Sequence, residues 1–387
     1  MVKAIKVMLI PNNVQKTKMF QYAGASRFAY NWALAREKEN YEKGGKFISD
    51  SELRKEFTKL RHSDEYTWLL NISNNVTKQA IKDACTAYKN FFKGLQKFPR
   101  FKSKKRSMPK FYQDNVKIQF SNTHVKFEGF SSSRKANKQK MNWVRLAEHG
   151  RIPTDVKYMN PRISFDGLNW WISVCVEFPD CRETLNDDGV GIDLGIKDLA
   201  ICSDGTKYKN INKSQKVKKL EKQKRRLQRS ISRSYEKNKK GESYCKTNNV
   251  IKKEKLLLKR NHRLTNIRKN YLNQTISEIV NRKPRFICIE DLNVSGMMKN
   301  RHLSKAVQEQ GFFWFRKQLE YKCSDKGIQL IVADRFYPSS KLCSCCGNIK
   351  KDLKLSDREY RCECGNIIDR DFQASINLKG YGERFAS

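Results

Sequence analysis

The chain has 387 residues, enough for two or three domains with cores of their own. It carries 80 Lys and Arg against 40 Asp and Glu, a formal net charge of +40. Self-repulsion at this level destabilises a compact chain unless a polyanion offsets it, which favours nucleic acid over a ribosomal or membrane-surface partner. No run reaches the roughly 18 apolar residues that span a bilayer, so the sequence predicts no membrane-spanning helix.

The N-terminus also argues against export. Residues 2–10 are apolar in part and lead directly into Pro11 and Asn12, without a small-residue cleavage site. We therefore expect a cytoplasmic protein. In that compartment the 12 cysteines favour metal ligation over a disulfide framework.

The first 96 residues predict one strand followed by a helical module. The strand is 2–10. Apolar residues then recur at helical spacing over 14–43, 50–61 and 73–96, and Gly44-Gly45 ends the first of these helices.

The next region, 97–185, predicts short strands instead of helices. It opens with KFPRFKSKKRSMPKFYQ (97–113), in which aromatic side chains alternate with Lys and Arg. Short alternating runs follow at 116–120, 124–130 and 169–178. We expect a small β-barrel that strand 2–10 completes.

The third region begins at about 186 and is α/β. A hairpin from 190 to 204 and a strand near 206–209 precede two basic helices, 213–233 and 249–282, which a Lys-rich turn over 234–255 connects. A buried strand over 285–292, a helix over 303–326, a strand over 328–336 and a final helix from 371 complete it. This order is expected of an RNase H-like core.

Three acids occupy the positions that such a core would use. Asp193 lies inside an apolar strand, Glu290 ends the run FICIE, and Asp371 opens the last helix. A strand acid among apolar residues is costly unless it is paired or binds metal. Oxygen ligands suit Mg²⁺ or Mn²⁺, and two such ions about 4 Å apart hydrolyse phosphodiesters. Any one of these acids taken alone would more often cap a turn or pair with Lys, as Asp291, Asp334 and Asp369 could.

Four cysteines follow the spacing of a metal site. Cys343 and Cys346 are separated by two residues, and Cys362 and Cys364 follow after 15 more, separated by one. A glycine after each pair frees the backbone to turn. The spacing predicts a zinc ribbon with tetrahedral Cys₄ coordination, although the second pair is one residue short and Cys345 is a competing ligand.

These motifs resemble the TnpB proteins, which insertion sequences encode and which are related to type V CRISPR effectors. The resemblance is carried over nearly the whole chain by FAYNWAL, AYKNFFKG, FPRFKSKK, GIDLGIKDLAICSDG, ICIEDLNVSGM, FYPSSKLCSCCG and CECGNIIDRDFQASINL. It implies a bacterial or archaeal transposon nuclease that binds a transposon-derived guide RNA. The RNA pairs with target DNA, and a RuvC-like site with Asp193, Glu290 and Asp371 as catalytic residues cuts it. Gln373 departs from the Asn usual in the family.

The resemblance also implies a domain organisation. It is a wedge β-barrel (1–10 and 97–185), a helical recognition domain (11–96), a RuvC-like domain (186–340 and 367–387) and an inserted zinc ribbon (341–366).

In this organisation the protein itself reads a short DNA motif next to the target, since the duplex must open before a guide can pair. The helix over 73–96 is the candidate reader, because Asn75 and Gln79 share a face and carry amides that can bond adenine. Lys78 beside them could hold a phosphate. Ordinary solvated polar residues would form the same pattern. Further nucleic-acid contacts are expected from the basic segment, at Lys102, Lys104 and Lys105.

Two other functions remain compatible with the sequence. A DNA-joining transposase would use the same acids for strand transfer. A nuclease-dead, RNA-guided repressor would bind without cutting, but it would not need all three acids.

Overall fold

The computed structural model describes residues 1–130, 141–179, 183–241, 243–354 and 357–386. The chain forms two compact units, Met1–Pro179 and Asp180–Ser387. Within the described residues, no helix is both long and apolar enough to cross a membrane.

The helices of the first unit are α1 Asn13–Glu42, α2 Asp50–Leu60 and α3 Asn74–Phe92, with a 3-10 helix over Asp64–Asn71. A reciprocal capping box starts α1: the Asn12 side chain accepts from the Gln15 amide, and the Gln15 side chain accepts from the Asn12 amide. The predicted helices 14–43, 50–61 and 73–96 are therefore present, the third ending four residues early.

The strands of the first unit are β1 Val2–Ile10, β2 Lys110–Tyr112, β3 Gln119–Phe120, β4 His124–Lys126, β5 Trp143–Leu146, β6 Tyr158–Phe165 and β7 Trp170–Glu177. They form a sheet in the order β2-β6-β7-β1-β5-β4-β3. β1 pairs antiparallel with β7, from Val2 opposite Glu177 to Leu9 opposite Trp170. The N-terminal strand thus joins strands more than 100 residues away, as the sequence predicts. The run 116–120 forms strand only over its last two residues.

One face of this sheet packs on the helices. Alternate residues of β7, from Trp170 to Val176, are buried, and Phe20 of α1 packs edge-on against Trp170. The core continues into α1 and α3 through Tyr22 and Ile81.

The second unit contains the strands β8 Val190–Leu194, β9 Asp198–Cys202, β10 Lys207–Lys209, β11 Lys239–Lys240, β12 Ser243–Tyr244, β13 Phe286–Glu290, β14 Gln329–Ala333, β15 Glu359–Arg361 and β16 Ile367–Asp369. Its helices are α4 Gln215–Lys237, α5 Asn248–Asn281, α6 Val294–Met297, α7 Ser304–Gln310, α8 Phe312–Lys326 and α9 Arg370–Phe385, with a 3-10 helix over Ile211–Lys213.

The main sheet of this unit has the order β10-β9-β8-β13-β14. β8, β9 and β10 are antiparallel neighbours, whereas β13 runs parallel to both β8 and β14. α9 packs directly on β8 at Gly191, where an added Cβ would lie 2.0 Å from the Ser375 carbonyl oxygen. Only glycine permits this close approach, and it brings the start of α9 to the sheet.

Some predicted boundaries are wrong. The helix expected over 303–326 is two helices, because Gly311 between α7 and α8 has a φ of 70°. α4 extends to Lys237 and α5 begins at Asn248, so the connection is much shorter than 234–255. The last helix, expected from 371, begins at Arg370 and continues to Phe385.

Candidate active site

Asp193 and Glu290 lie on neighbouring strands. In the parallel pairing of β8 with β13, Gly191 is opposite Cys288 and Ile192 is opposite Ile289. Continuing this register places Asp193 beside Glu290. Asp371 is in the first turn of α9, which packs on β8. The fold therefore brings together three acids that are far apart in sequence.

The surroundings of these acids oppose their negative charge. Burial raises the pKa of Asp193 well above its ordinary value, and the neighbouring charges of Glu290 and Asp371 raise it further. Burial likewise raises the pKa of Glu290, against a hydrogen bond that the Ser339 hydroxyl donates to it. Acids whose pKa is raised in this way cluster at functional sites.

The three carboxylates do not form a closed ligand set. They are not among the groups of described His, Cys, Asp and Glu residues whose ligand atoms all lie within 4.8 Å of one another. The donor set, three carboxylates on packed elements, fits Mg²⁺ or Mn²⁺.

Two arginines supply positive charge at the site. Arg370, whose side chain is 12% exposed, places Nη2 3.0 Å from Asp371 Oδ1, and Arg358 Nη1 lies 3.7 Å from Asp371 Oδ2. The positive charge of Arg370 also lowers the pKa of Asp193. Sequence reasoning missed both arginines and Ser339; the position of Arg370 between two acids was the one available signal.

Nearby acids have other partners. Asp291 forms ion pairs with Arg316 (2.7 Å) and Arg335, and Asp369 caps α9 by accepting from the Asp371 and Phe372 amides. These contacts are structural.

The four cysteines form a second candidate site. The sulfur atoms of Cys343, Cys346, Cys362 and Cys364 all lie within 4.8 Å of one another. Cys343 and Cys364 are 3.6 Å apart, and Cys346 and Cys362 are 3.5 Å apart. Cys345 is exposed and outside the group. The short second pair is therefore compatible with tetrahedral coordination of zinc.

Backbone geometry supports this arrangement. Gly347 and Gly365, which follow the two pairs, have φ values of 72° and 89°. Although burial opposes it, hydrogen bonds from the Cys346 amide and the Asn366 side chain lower the pKa of Cys343 to about 6, which favours the thiolate that binds metal.

Gln373 connects the cysteine cluster to α9. Its side chain is fully buried, Nε2 donates to the Leu342 carbonyl (2.7 Å), and Oε1 accepts from Ser344 Oγ (3.0 Å) and Asn366 Nδ2 (3.3 Å). Asn366 Nδ2 also donates to Cys343 Sγ (3.5 Å). Because Gln373 is two residues after Asp371, this network ties the cluster to the helix that carries the third acid.

The predicted DNA-reading residues lie on α3 but are already hydrogen-bonded. Asn75 Nδ2 donates to Glu128 (3.1 Å) and Gln79 Nε2 donates to Asp83 (2.9 Å). Lys78 is exposed. Lys104 and Lys105 are exposed as well, whereas Lys102 is partly buried.

Known proteins resemble the chain over nearly its whole length. It is 31% identical to InsQ of Escherichia coli (strain K12), over 93% of this chain and 87% of that protein, whose name reads "Putative RNA-guided DNA endonuclease InsQ". The chain belongs to the TnpB family. A Streptomyces pristinaespiralis TnpB relative, "Putative RNA-guided DNA endonuclease", is 29% identical over 98% of this chain and 89% of its own length.

Family models agree with this membership, and a solved structure shows the fold. The models match "Helix-turn-helix domain" at 1–46, "Probable transposase" at 173–301 and "Cas12f1-like, TNB domain" at 312–378. The Cas12f1 chain of a Cas12f1–sgRNA–target DNA complex aligns with a TM-score of 0.59 and 13% identity, covering 94% of this chain and 82% of that one. This TnpB protein therefore has the mixed α/β fold of these effectors.

Proposed function

We propose that this TnpB protein is an RNA-guided DNA endonuclease of an insertion sequence. The observation that carries the proposal is the meeting of Asp193, Glu290 and Asp371 at one edge of the second unit, in a chain that aligns end to end with relatives named RNA-guided DNA endonucleases.

The finer architecture is part of the proposal. The antiparallel β8, β9 and β10, followed by parallel β13 and β14, support a RuvC-like core made of 186–340 and 367–387. The cysteine cluster and the β15–β16 hairpin, whose first strand lies between these two parts, support a zinc ribbon at 341–366. The sheet that unites β1 with strands from 97–185 supports a wedge barrel, which leaves 11–96 as the recognition domain.

Cleavage is assigned to the three acids. Asp193, Glu290 and Asp371 would hold Mg²⁺ or Mn²⁺, which supplies an activated water and stabilises the leaving oxygen. Ser339 orients Glu290 by its hydrogen bond. Arg370 and Arg358 stabilise negative charge beside Asp371 and are placed to attract the DNA phosphate. The four cysteines would hold a structural zinc, with no ligand position left for catalysis.

A basic groove supports nucleic acid as partner. Lys218, Lys222, Arg225 and Arg229 lie on one face of α4 and line a cavity of about 580 Å³. The acids in this groove already have basic partners: Arg268 pairs with Glu221 (3.1 Å) and Glu309 (3.2 Å), and Lys224 pairs with Glu221 (2.8 Å). The groove therefore keeps a net positive charge for a phosphate backbone.

We expect an RNA of defined sequence, on the order of a hundred nucleotides or more, to co-purify with the protein, because the +40 charge needs a large polyanion. Sequencing of the bound RNA checks this. The logarithm of affinity should fall linearly with the logarithm of salt concentration, by about 0.7 per single-strand phosphate contacted. A preparation free of RNA that still cuts a DNA target sequence-specifically contradicts the guide.

The same experiment separates the other functions. A DNA-joining transposase would act without a defined RNA and would yield joined rather than cut products. A repressor would bind RNA and target without cutting, and the presence of all three acids disfavours it.

We further propose that α3 reads the motif beside the target. In the free protein Glu128 and Asp83 hold the amides of Asn75 and Gln79, so reading a base requires exchange of these bonds. Joint replacement of Asn75 and Gln79 by Ala should relax the motif, at a cost of about 1–3 kcal/mol of discrimination per position. Lys78→Ala, the control on the same face, should weaken all sequences alike. Cleavage of a library with randomised flanks measures both, and an unchanged motif in the double variant places the reader elsewhere.

A further inference from the structure

The first unit contains a small cavity lined by cations and hydroxyls. It lies between α1 and the segment 102–110, has a volume of about 20 Å³, and is lined by eight residues: Ala23, Ser26, Arg27, Lys102, Ser107, Met108, Pro109 and Lys110. Three of these eight residues are basic, two carry hydroxyls and none is acidic. The space holds about one water-sized group, so it can admit one oxygen of a larger anion that lies at its mouth.

Lys102 is positioned by α1. Asn31 Nδ2 donates to the Lys102 carbonyl, and the Lys102 amide donates to Asn31 Oδ1, each at 2.8 Å. This reciprocal pair fixes the backbone of Lys102 against the helix. Its ammonium lies over the ring of Tyr30, 3.0 Å from the centroid. Lys104 and Lys105, two and three residues later, are exposed.

The charge of Lys102 is not balanced by an acid. The nearby acid on α3 is Asp83, whose oxygens already accept from Arg162 Nη1 (2.6 Å) and Nη2 (3.0 Å) and from Gln79. Within the described ranges, neither Lys102 nor Arg27 nor Lys110 has an acid within 4.0 Å. Burial, with the charge of Lys110 on β2 and that of Arg162 on β6, lowers the pKa of Lys102 to about 7, against the opposing effect of Asp83.

Lys102 and Arg27 are partly buried, and Lys110 is exposed. An unbalanced group of cations with two partly buried members is costly unless an anion completes it. The Tyr30 ring offsets part of this cost, but it offers no negative charge. The two serine hydroxyls can donate hydrogen bonds to anionic oxygens, and Arg27 and Lys110 supply charge on two sides.

We propose that this cavity binds a phosphate group of a nucleic-acid backbone, with Lys102 as its central ligand. The proposal rests on the proposed function, since that function makes nucleic acid the partner. The guide RNA and the target DNA offer the same phosphodiester chemistry, and the two arms of the test distinguish them.

The test uses the full-length protein with four substitutions. Lys102→Gln removes the charge, Lys102→Arg keeps it, and Lys104→Gln and Lys105→Gln are matched controls on the same segment. One arm measures guide RNA binding to the free protein, and the other measures target DNA binding to the RNA-loaded protein, each over a range of salt concentrations.

We expect Lys102→Gln to weaken binding about tenfold for whichever nucleic acid, guide RNA or target DNA, supplies the phosphate. It should also reduce the salt slope for that nucleic acid by about 0.7 if a single strand is bound, or about 0.9 if a duplex is bound. Lys102→Arg should retain most of the affinity, and the controls should lose less than Lys102→Gln. Equal losses for Lys102→Gln and both controls overturn the proposal, because they indicate diffuse attraction. A wild-type protein that binds neither nucleic acid instead refutes the proposed function.

Two further readouts exclude a purely structural role. Phosphate favours the protonated lysine, so binding should take up a proton, and wild-type affinity should fall as pH rises from 6.5 to 8.5, roughly the range around the lowered pKa. Lys102→Arg should lack this pH dependence. The melting temperature of nucleic-acid-free Lys102→Gln should not fall below that of the wild type; a large fall with unchanged affinity and pH profile means that Lys102 only supports the fold.

Discussion

Asp193→Ala or Glu290→Ala is expected to lower DNA cleavage by a factor of about 10² to 10³, as loss of a main electrostatic stabiliser does, while guide and target binding stay nearly intact. Asp193 lies within the core strand β8, and Glu290 ends the core strand β13. Binding of a cation accounts for the burial of both acids. Cleavage is measured on a labelled target with Mg²⁺. Asp188→Ala is the matched control, because Asp188 precedes the same strand and its side chain is 90% exposed.

Removal of the Asp193 charge should stabilise the metal-free protein. Burial and then neighbouring acids raise the folded-state pKa of Asp193 above its ordinary value of 3.8. An acid with a raised folded-state pKa loses stability as pH rises from the ordinary value through the raised one. Without divalent ions, Asp193→Asn should therefore melt above the wild type at pH 7, and the difference should vanish below about pH 3.8.

Metal binding should reverse this order of thermal stability between variant and wild type. Mg²⁺ or Mn²⁺ should raise the melting temperature of the wild type, since an ion that binds only the folded state stabilises it by mass action. Asp193→Ala and Glu290→Ala should show little of this increase. Wild-type cleavage rates in either variant, or equal stabilisation of variant and wild type by Mg²⁺, would be incompatible with carboxylate-held metal.

The second large effect concerns the cysteine cluster. We expect about one zinc per chain by atomic absorption. Cys362→Ser should lose it, with lower thermal stability and strongly reduced cleavage, because folding of such a ribbon is coupled to metal binding. Cys345→Ser is the matched control: this cysteine is exposed and outside the group, so zinc and cleavage should both persist. Zinc-free protein that folds and cuts normally would contradict the assignment.

Substitution of Gln373 tests the effect of the ribbon on the active site separately from the stability of the ribbon. Gln373→Ala leaves all four sulfur ligands in place but removes the bonds to Leu342, Ser344 and Asn366. We expect zinc to remain bound and target binding to change little. The cleavage rate should fall about 10- to 100-fold, as it does when residues outside the ligand set that orient the metal ligands are replaced. Gln373→Asn keeps an amide and should lose less. An unchanged rate in Gln373→Ala means that the ribbon does not position Asp371 through this residue.

Several features could be predicted from the sequence because they depend on local patterns. Hydrophobic periodicity was sufficient for α1, α2 and α3, and an acid in an apolar run is costly wherever the strand lies, which singled out Asp193 and Glu290. Cysteine spacing likewise identified the cluster, since its ligands come from two short turns. The break at Gly311 was missed because apolar spacing continues across it, although the glycine has a positive φ.

The partners of these residues were decided by the tertiary structure alone. The parallel pairing of β8 with β13 places Asp193 beside Glu290, and the packing of α9 at Gly191 brings Asp371 and Arg370 to them. Lys102 and Lys104 look alike in a basic segment. They differ in the folded protein because Asn31 and Tyr30, some 70 residues earlier in the chain, contact Lys102 and not Lys104. Sequence patterns record the chemistry that each residue can perform, whereas burial and neighbouring charge, which arise only when distant segments pack, decide which residues are placed to perform it.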